Sequence, residues 1–208
     1  MDDRRTLIGA LRADVETFRD RVPALETLEA GRPEAASVVG EPGTDRSSAR
    51  GEPTDESPSA RLDRAPSPAA FDGPPDLGAF EALTPLERNL VWRLWVLDAV
   101  PFGLVLTGPA YQDTPVRYVN DGFERLTGYP LSAVHGRNLR LLQGPDTDEN
   151  AVESLREAVS IWESVTVELR NYRRDGTSFL NRVSLVPMAG SDGAVANWVG
   201  VQTTVDSP

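Results

Sequence analysis

Apolar residues recur along the start of the chain at alternating steps of three and four: Ile8, Leu11, Val15, Phe18, Val22, Leu25 and Leu28. That spacing predicts an amphipathic N-terminal helix within residues 1–30, with Pro23 ending its regular part near Val22. The seam is too short to specify a coiled coil, so the helix packs either on the chain's own domain or on a second copy or partner. The period then vanishes. Between Gly31 and Gly78, Pro, Gly, Ser, Asp, Glu and Arg dominate, and residues 31–79 read as a disordered linker. Order resumes at Thr84, a candidate N-cap followed by Pro85 at the first helical position and Glu87 three residues on, ahead of Leu86, Leu90, Val91 and Leu94. This flanking helix, within residues 80–100, should reach about Asp98 and stop before Pro101.

From Phe102 the period switches to two. Phe102 to Thr107 and Val116 to Val119 read as strands joined by a turn, and short helical pieces follow between Gly122 and Glu163. Three more strands, about Val165 to Arg173, Phe179 to Pro187 and Ala194 to Thr204, are linked by turns at Asp175-Gly176 and Ser191-Asp192-Gly193. The expected fold class is α+β: a five-stranded antiparallel sheet with short helices on one face, forming a domain over residues 101–208.

Alternation places Val165, Val167, Leu169 and Asn171 on one face of the first late strand, and Phe179, Asn181, Val183 and Leu185 on one face of the next. Pairing about Asp175-Gly176 sets Asn171 roughly opposite Asn181, both toward apolar neighbours. On the last strand Trp198, Gly200 and Gln202 share a face. If that face looks inward, Gly200 leaves room for a flat ligand beside a third amide; the other reading makes Gly200 a bulge and leaves Gln202 at an exposed strand end. Between the early and the late strands, a short helix over residues 136–144 puts Leu139 and Gln143 on one face with Arg140 at its edge. Arg156 follows on the next helix.

Composition narrows the chemistry. Acidic residues number 32 against 21 basic ones, a net charge of −11, and all 21 are Arg. Such a balance argues against nucleic acid and against an anionic membrane surface. It fits a salt-rich cytoplasm or a codon bias equally well. With no Cys there is no thiolate nucleophile or zinc–cysteine site, and with one His, His135, a catalytic triad and a metal or haem site are disfavoured. The first apolar residues sit among charges and do not form a signal peptide, and Leu90 to Leu106 carries Arg93, Asp98 and Pro101, unlike a membrane span. A cytoplasmic location is expected.

Buried amides need partners, because an amide without a hydrogen bond costs on the order of 1–3 kcal/mol. Four carboxamides (Gln143, Asn171, Asn181, Gln202) and two arginines (Arg140, Arg156) suit a ligand with a neutral heterocycle of mixed donors and acceptors at one end and a phosphate at the other. Flavin mononucleotide (FMN) fits, as do other ligands with mixed polar edges.

The stretch Pro115 to Tyr129, with Asn120-Asp121-Gly122-Phe123 inside it, resembles the LOV (light-oxygen-voltage) branch of the PAS superfamily, and so does Gly136-Arg137-Asn138-Leu139-Arg140-Leu141-Leu142-Gln143-Gly144-Pro145. Glu168 to Tyr172, Phe179-Leu180-Asn181 and Gly200-Val201-Gln202 extend the likeness. LOV domains are flavin-binding blue-light sensors, so the resemblance implies FMN as cofactor, with FAD also compatible. It implies that Asn171, Asn181, Gln143 and Gln202 meet the isoalloxazine, Asn138 the ribityl chain, and Arg140 and Arg156 the phosphate, with Phe123 and Leu185 as apolar walls. One departure stands out. The family's reactive Cys falls at Leu139, so no thioether can form.

Electron transfer to the excited flavin remains open to this chain, with Trp198 on the inferred pocket face and Trp92, Trp95, Tyr118, Trp162 and Tyr172 as other donors; Trp198 equally suits a purely packing role. Gln202 could answer by rotating its amide. The leading expectation is a flavin-based blue-light or redox sensor that works by photoreduction and signals through the flanking helix. The alternative is a PAS interaction module that no longer senses light. No enzyme motif is visible. Partners would be a second copy or another protein, met through the N-terminal and flanking helices.

Overall fold

The computed structural model describes residues 3–28, 56–74, 83–190 and 193–205. The apolar seam at the start of the chain folds as two helices rather than the single one expected, α1 (Asp3–Arg12) and α2 (Val15–Leu25). Asp14 makes the break: its carboxylate accepts from the Thr17 N–H at 2.8 Å and Oγ1 at 2.7 Å, starting a new helix. Pro23 lies inside α2 instead of ending it. Most of the seam stays on one side all the same: Leu11, Phe18, Val22, Leu25 and Leu28 are buried, Ile8 and Val15 pack against the core while partly exposed, and Leu7 rather than Ile8 is the fully buried residue at the start.

The segment expected to be disordered is partly folded. Ser57 caps α3 (Pro58–Arg64), a 3-10 turn spans Pro68–Ala70, and Leu62 and Phe71 enter the core. Residues 31–55 and 75–79 of the expected linker lie outside the described residues. Two apolar residues among many polar ones suffice here because the polar ones also find partners. Arg61, only 3% exposed, donates through Nη1 to Asp98 Oδ2 and to the Trp95 carbonyl, each at 2.9 Å, and stacks its guanidinium 5.3 Å over the Trp95 ring. Phe71 packs on the same ring at 5.0 Å.

Helix α4 (Pro85–Val96) starts as its sequence predicts, with a complete capping box between Thr84 and Glu87. It is buried nearly all round because it is sandwiched. Helices α1, α2 and α3 cover its outer side, with Phe18 against Trp92 at 5.5 Å. Arg93 Nη1 donates to the carbonyls of Ala10, Leu11 and Ala13 at 3.3, 3.2 and 2.6 Å, filling the open C-terminal end of α1. Burial pushes the Arg93 guanidinium down to about 10, so it is still charged at neutral pH.

The inner side of α4 lies on the sheet. Its strands are β1 (Gly103–Thr107), β2 (Val116–Val119), β3 (Val165–Tyr172), β4 (Ser178–Ala189) and β5 (Val195–Thr204), in the order β2-β1-β5-β4-β3, every pair antiparallel. Helices α5 (Asp121–Thr127), α6 (Leu131–Val134) and α7 (Glu149–Ile161), with a 3-10 turn at Leu139–Leu142, connect β2 to β3. Asn120 joins the layers: its Oδ1 accepts from Leu104 N at 2.7 Å and Phe123 N at 2.9 Å, while Nδ2 donates to the Phe102 carbonyl at 3.0 Å.

The α+β class and the five antiparallel strands agree with the sequence expectation. The register of the β3–β4 hairpin differs by two residues. Asn171 pairs with Phe179, and Asn181 with Leu169, so the two Asn are diagonal neighbours on one face. The turn explains this. Gly176 N–H donates to the Arg173 carbonyl at 2.9 Å and Gly176 takes φ +86°, giving a three-residue connection with glycine in the left-handed position.

Breaking the Arg61–Asp98 pair tests the folded status of residues 57–74. Arg61→Met leaves a buried carboxylate without this partner and should cost about 3 kcal/mol, read by urea unfolding with the adjacent Trp95 as fluorescent reporter. A loss near zero would mean that α3 does not hold to α4 in solution.

Candidate functional site

Between the sheet and the segment 138–159 lies a cavity of about 330 Å³, within the range of small-molecule pockets. Its floor is the inner face of β3, β4 and β5. Leu169, Asn171, Val183, Leu185, Trp198 and Gln202 line it because strand alternation turns all of them the same way. The opposite wall is Asn138, Leu139, Leu142 and Gln143 from the 3-10 turn, and Val152, Leu155 and Arg156 from α7. Thr107, at the end of β1, closes one side.

Nine of the eleven side chains expected at a site line one cavity: Asn138, Leu139, Arg140, Gln143, Arg156, Asn171, Leu185, Trp198 and Gln202; Asn181 lies behind them, hydrogen-bonded to Asn171 and Gln202. Phe123 does not line it. It is fully buried on α5 in the main core and is not among the lining residues, because Asn120 caps α5 and draws it against β1.

Three of the four carboxamides, Asn171, Asn181 and Gln202, form one connected set, while Gln143 lines the opposite wall. Asn181, fully buried, donates both Nδ2 protons, to Asn171 Oδ1 at 2.9 Å and to Gln202 Oε1 at 2.8 Å. Its own Oδ1 is buried with no hydrogen-bond partner. An orphaned amide oxygen costs about 1–3 kcal/mol, and the cluster is thus built to accept one more hydrogen bond. Gln202 is only 2% exposed, and β5 runs without a bulge past Gly200. The space beside Gly200 is nonetheless not free for a ligand: a Cβ there would come within 2.6 Å of Val105 Cγ1, so the glycine serves the close approach of β1 to β5.

The rim is charged and exposed. Asn138 holds the β1–β2 connection in place, donating to the Asp113 carbonyl at 2.7 Å and Thr114 Oγ1 at 2.9 Å, and it caps the 3-10 turn through Arg140 N at 2.8 Å. Asp113 and Thr114 have φ of +65° and +45°, conformations that these contacts secure. Arg140 pairs with Asp113 at 2.5 Å and Arg156 with Glu153 at 3.2 Å. Both pairs are solvated and weak, so an incoming anion could take over either guanidinium at little cost.

Thr107, Asp113 and Val183 escaped the sequence reading as site residues. Val183 shares the period-two face of Asn181 and was legible as a wall. Asp113 was not, because its role depends on a left-handed turn. His135 is exposed at the end of α6, and among the described residues no cluster of His, Cys, Asp and Glu could hold a metal ion. No helix among them is long and apolar enough to cross a membrane.

Comparison with known proteins agrees with this architecture. A PAS domain model matches residues 102–204. The chain is 41% identical over 119 residues to a bacterioopsin transcriptional activator of Halobacterium salinarum, covering 57% of this chain and 17% of that protein. It is 38% identical over 112 residues to a blue-light photoreceptor of Listeria monocytogenes, covering 54% of this chain and 44% of that one. Blue-light-activated histidine kinase 2 of Erythrobacter litoralis is 42% identical over 103 residues, covering 50% of this chain and 30% of the kinase. Among solved structures, the LOV domain of the Erythrobacter litoralis EL346 kinase is 40% identical, covering 52% of this chain and 99% of that one, with a TM-score of 0.49. The matched stretch spans less than half the length of each of these curated relatives. The PAS match covers all five strands and the amide-lined cavity, and residues 102–204 of this chain are a PAS domain of the LOV branch.

Proposed function

We propose that this chain is a flavin-binding blue-light sensor domain that responds by photoreduction of the flavin instead of by cysteinyl addition. The observation that carries the reading is the buried amide set with its one unpaired acceptor, Asn181 Oδ1. The pyrimidine edge of a flavin offers a ring N–H between two carbonyls, so the N–H fills the orphaned acceptor while neighbouring amide protons serve the carbonyls. No charge is added to a buried site. The apolar walls Leu139, Leu142, Val152, Leu155 and Leu185 suit the flat ring, and Arg140 and Arg156 at the open rim suit a phosphate. FMN is accordingly the cofactor of first choice, with FAD compatible because the rim is open. Names of relatives support the same reading: a blue-light photoreceptor and blue-light-activated kinases match over this domain.

Bound flavin would supply a blue-absorbing chromophore that takes up one electron. What the chain contributes is position and environment. Leu139 lines the cavity where the family resemblance places the reactive thiol, and with no Cys in the chain the route by addition is closed. Gln202 is tied through Oε1 to Asn181, which fixes which way its amide points in the resting state. A change of protonation at the flavin edge would favour the opposite amide orientation and break that bond. Signalling then runs to α4 on the far face of the sheet, and beyond it to a partner protein or a second copy. The rival reading, a PAS docking module without a ligand, leaves Asn181 Oδ1 unexplained.

Purified chain mixed with FMN and then desalted should stay yellow, with its flavin fluorescence quenched, and should bleach reversibly under blue light with a reductant present. A colourless product that binds no flavin would overturn the reading. Leu139→Cys should add a second, thiol-dependent light response that iodoacetamide abolishes; the parent chain should show none. Asn181→Leu removes the acceptor and both donors at the cluster, and should weaken FMN binding by at least about tenfold, equivalent to ~1.4 kcal/mol, measured by fluorescence titration.

A further inference from the structure

Trp198 and Trp162 form a continuous aromatic path from the cavity to solvent. Trp198 is fully buried on β5 and lines the cavity. Trp162 follows the last residue of α7, stays 45% exposed, and lies against Trp198 with ring centroids 6.2 Å apart and planes 14° from parallel. Its placement is unfavourable for folding alone. Its φ is +61°, a left-handed conformation that costs a bulky residue on the order of 1–3 kcal/mol, and it leaves an indole in water. The other two tryptophans are placed differently. Trp92 and Trp95 sit in the helical layer, where guanidinium groups of Arg19 and Arg61 lie 5.5 and 5.3 Å over their rings. A cation above the ring face opposes removal of an electron from it. Among the described residues no guanidinium covers Trp162 or Trp198 in this way.

We propose that Trp198 and Trp162 are a two-step electron relay that reduces the photoexcited flavin. This rests on the flavin reading above. Trp198, on the cavity wall, gives one electron to the excited ring. Its Nε1 is buried without a hydrogen-bond acceptor, so the oxidised indole cannot shed its proton and remains a buried, unsolvated cation, a costly state. Trp162 relieves it by passing one electron across the stack. Being exposed, Trp162 then loses its Nε1 proton to water and becomes a neutral radical, which a soluble thiol reduces by supplying one electron and one proton. Two thiyl radicals from two such turnovers couple to a disulfide. In net terms one electron moves from thiol to flavin and both indoles are restored.

The test uses the full chain loaded with FMN, kept under argon with dithiothreitol and lit with blue light. Trp162→Phe should lower the photoreduction yield several-fold, because the electron on the ring returns to Trp198 before a proton is lost. Trp162→Tyr, which keeps an oxidisable ring, should recover part of it, and Trp95→Phe should match the parent chain. Transient absorption of the parent should show a neutral tryptophan radical that Trp162→Phe lacks. In the flavin-free chain, far-ultraviolet circular dichroism should lose its Trp–Trp exciton contribution in Trp162→Phe, a readout of the stack itself. Equal yields and radical signals in the parent and Trp162→Phe would overturn the relay while leaving the flavin reading intact. Failure of the parent chain to bind FMN would overturn both.

Discussion

The whole molecule turns on one strand that is buried on both faces. β5 lies at the centre of the sheet, between β1 and β4, and alternation commits each of its residues to one side. Trp198, Gly200 and Gln202 face the cavity; Asn197, Val199 and Val201 face the layer of α4. A slip of one residue would exchange the two sets, putting Asn197 in the cavity and Trp198 against α4. Polar ties on each side prevent it. Asn197 Nδ2 donates to Glu87 Oε1 and to the Thr107 carbonyl, each at 3.1 Å, and Gln202 Oε1 accepts from Asn181. Apolar contacts alone would tolerate the slip far better, since they have no direction.

The helical layer uses buried charge in the same directional way. Arg93 gathers three carbonyls at the end of α1, and Arg61 ties α3 to Asp98, whose other oxygen accepts from Asp121 N at 2.8 Å. Taking such groups out of water is expensive, and hydrophobic replacements often serve stability as well. Their value here is geometric, because each permits only one docking of its helix. One consequence bears on partners. The outer side of α4, the surface a flanking helix would offer to a second copy, is already covered by the chain's own α1, α2 and α3. A partner using that side must compete with them, and a partner leaving them in place must bind elsewhere.

The sequence carried the sheet well and the junctions poorly. Strands β1 to β5, the capping box at Thr84 and the inward faces with Asn171, Asn181 and Leu185 follow from period and local chemistry, which any short window contains, whereas the face of Gln202 was open between inside and outside until the pairing of β5 was known. The break at Asp14 was hidden because the apolar seam runs through it unbroken: the helix turns while its buried side is kept. Residues 57–74 were hidden for the opposite reason. Their composition is that of a disordered segment, and they fold because Arg61, Leu62 and Phe71 meet partners more than twenty residues away. The two-residue shift between Asn171 and Asn181 depended on where the turn is centred: the connection is Arg174-Asp175-Gly176, with glycine last, and the dipeptide Asp175-Gly176 alone does not fix that centre. Phe123 was assigned to the cavity through family likeness, yet Asn120, by capping α5, fixes it in the core.

The amide cluster shows why a polar site can sit in this core and still act. Asn181 satisfies Asn171 and Gln202 with its two protons and keeps one acceptor open, so the set is stable enough to persist and incomplete enough to favour a ligand donor. Turning the Gln202 amide would sacrifice its bond to Asn181, worth about 0.5–1.5 kcal/mol. That is close to the 1–3 kcal/mol or so by which one site typically influences another. Because Gln202 lies on the strand whose opposite face carries Asn197, any adjustment of β5 that follows is met by Glu87, and Glu87 also caps α4 through Thr84 N at 2.8 Å. The N-terminus of α4 is therefore the place on the far side of the sheet where a change in the cavity would first be felt.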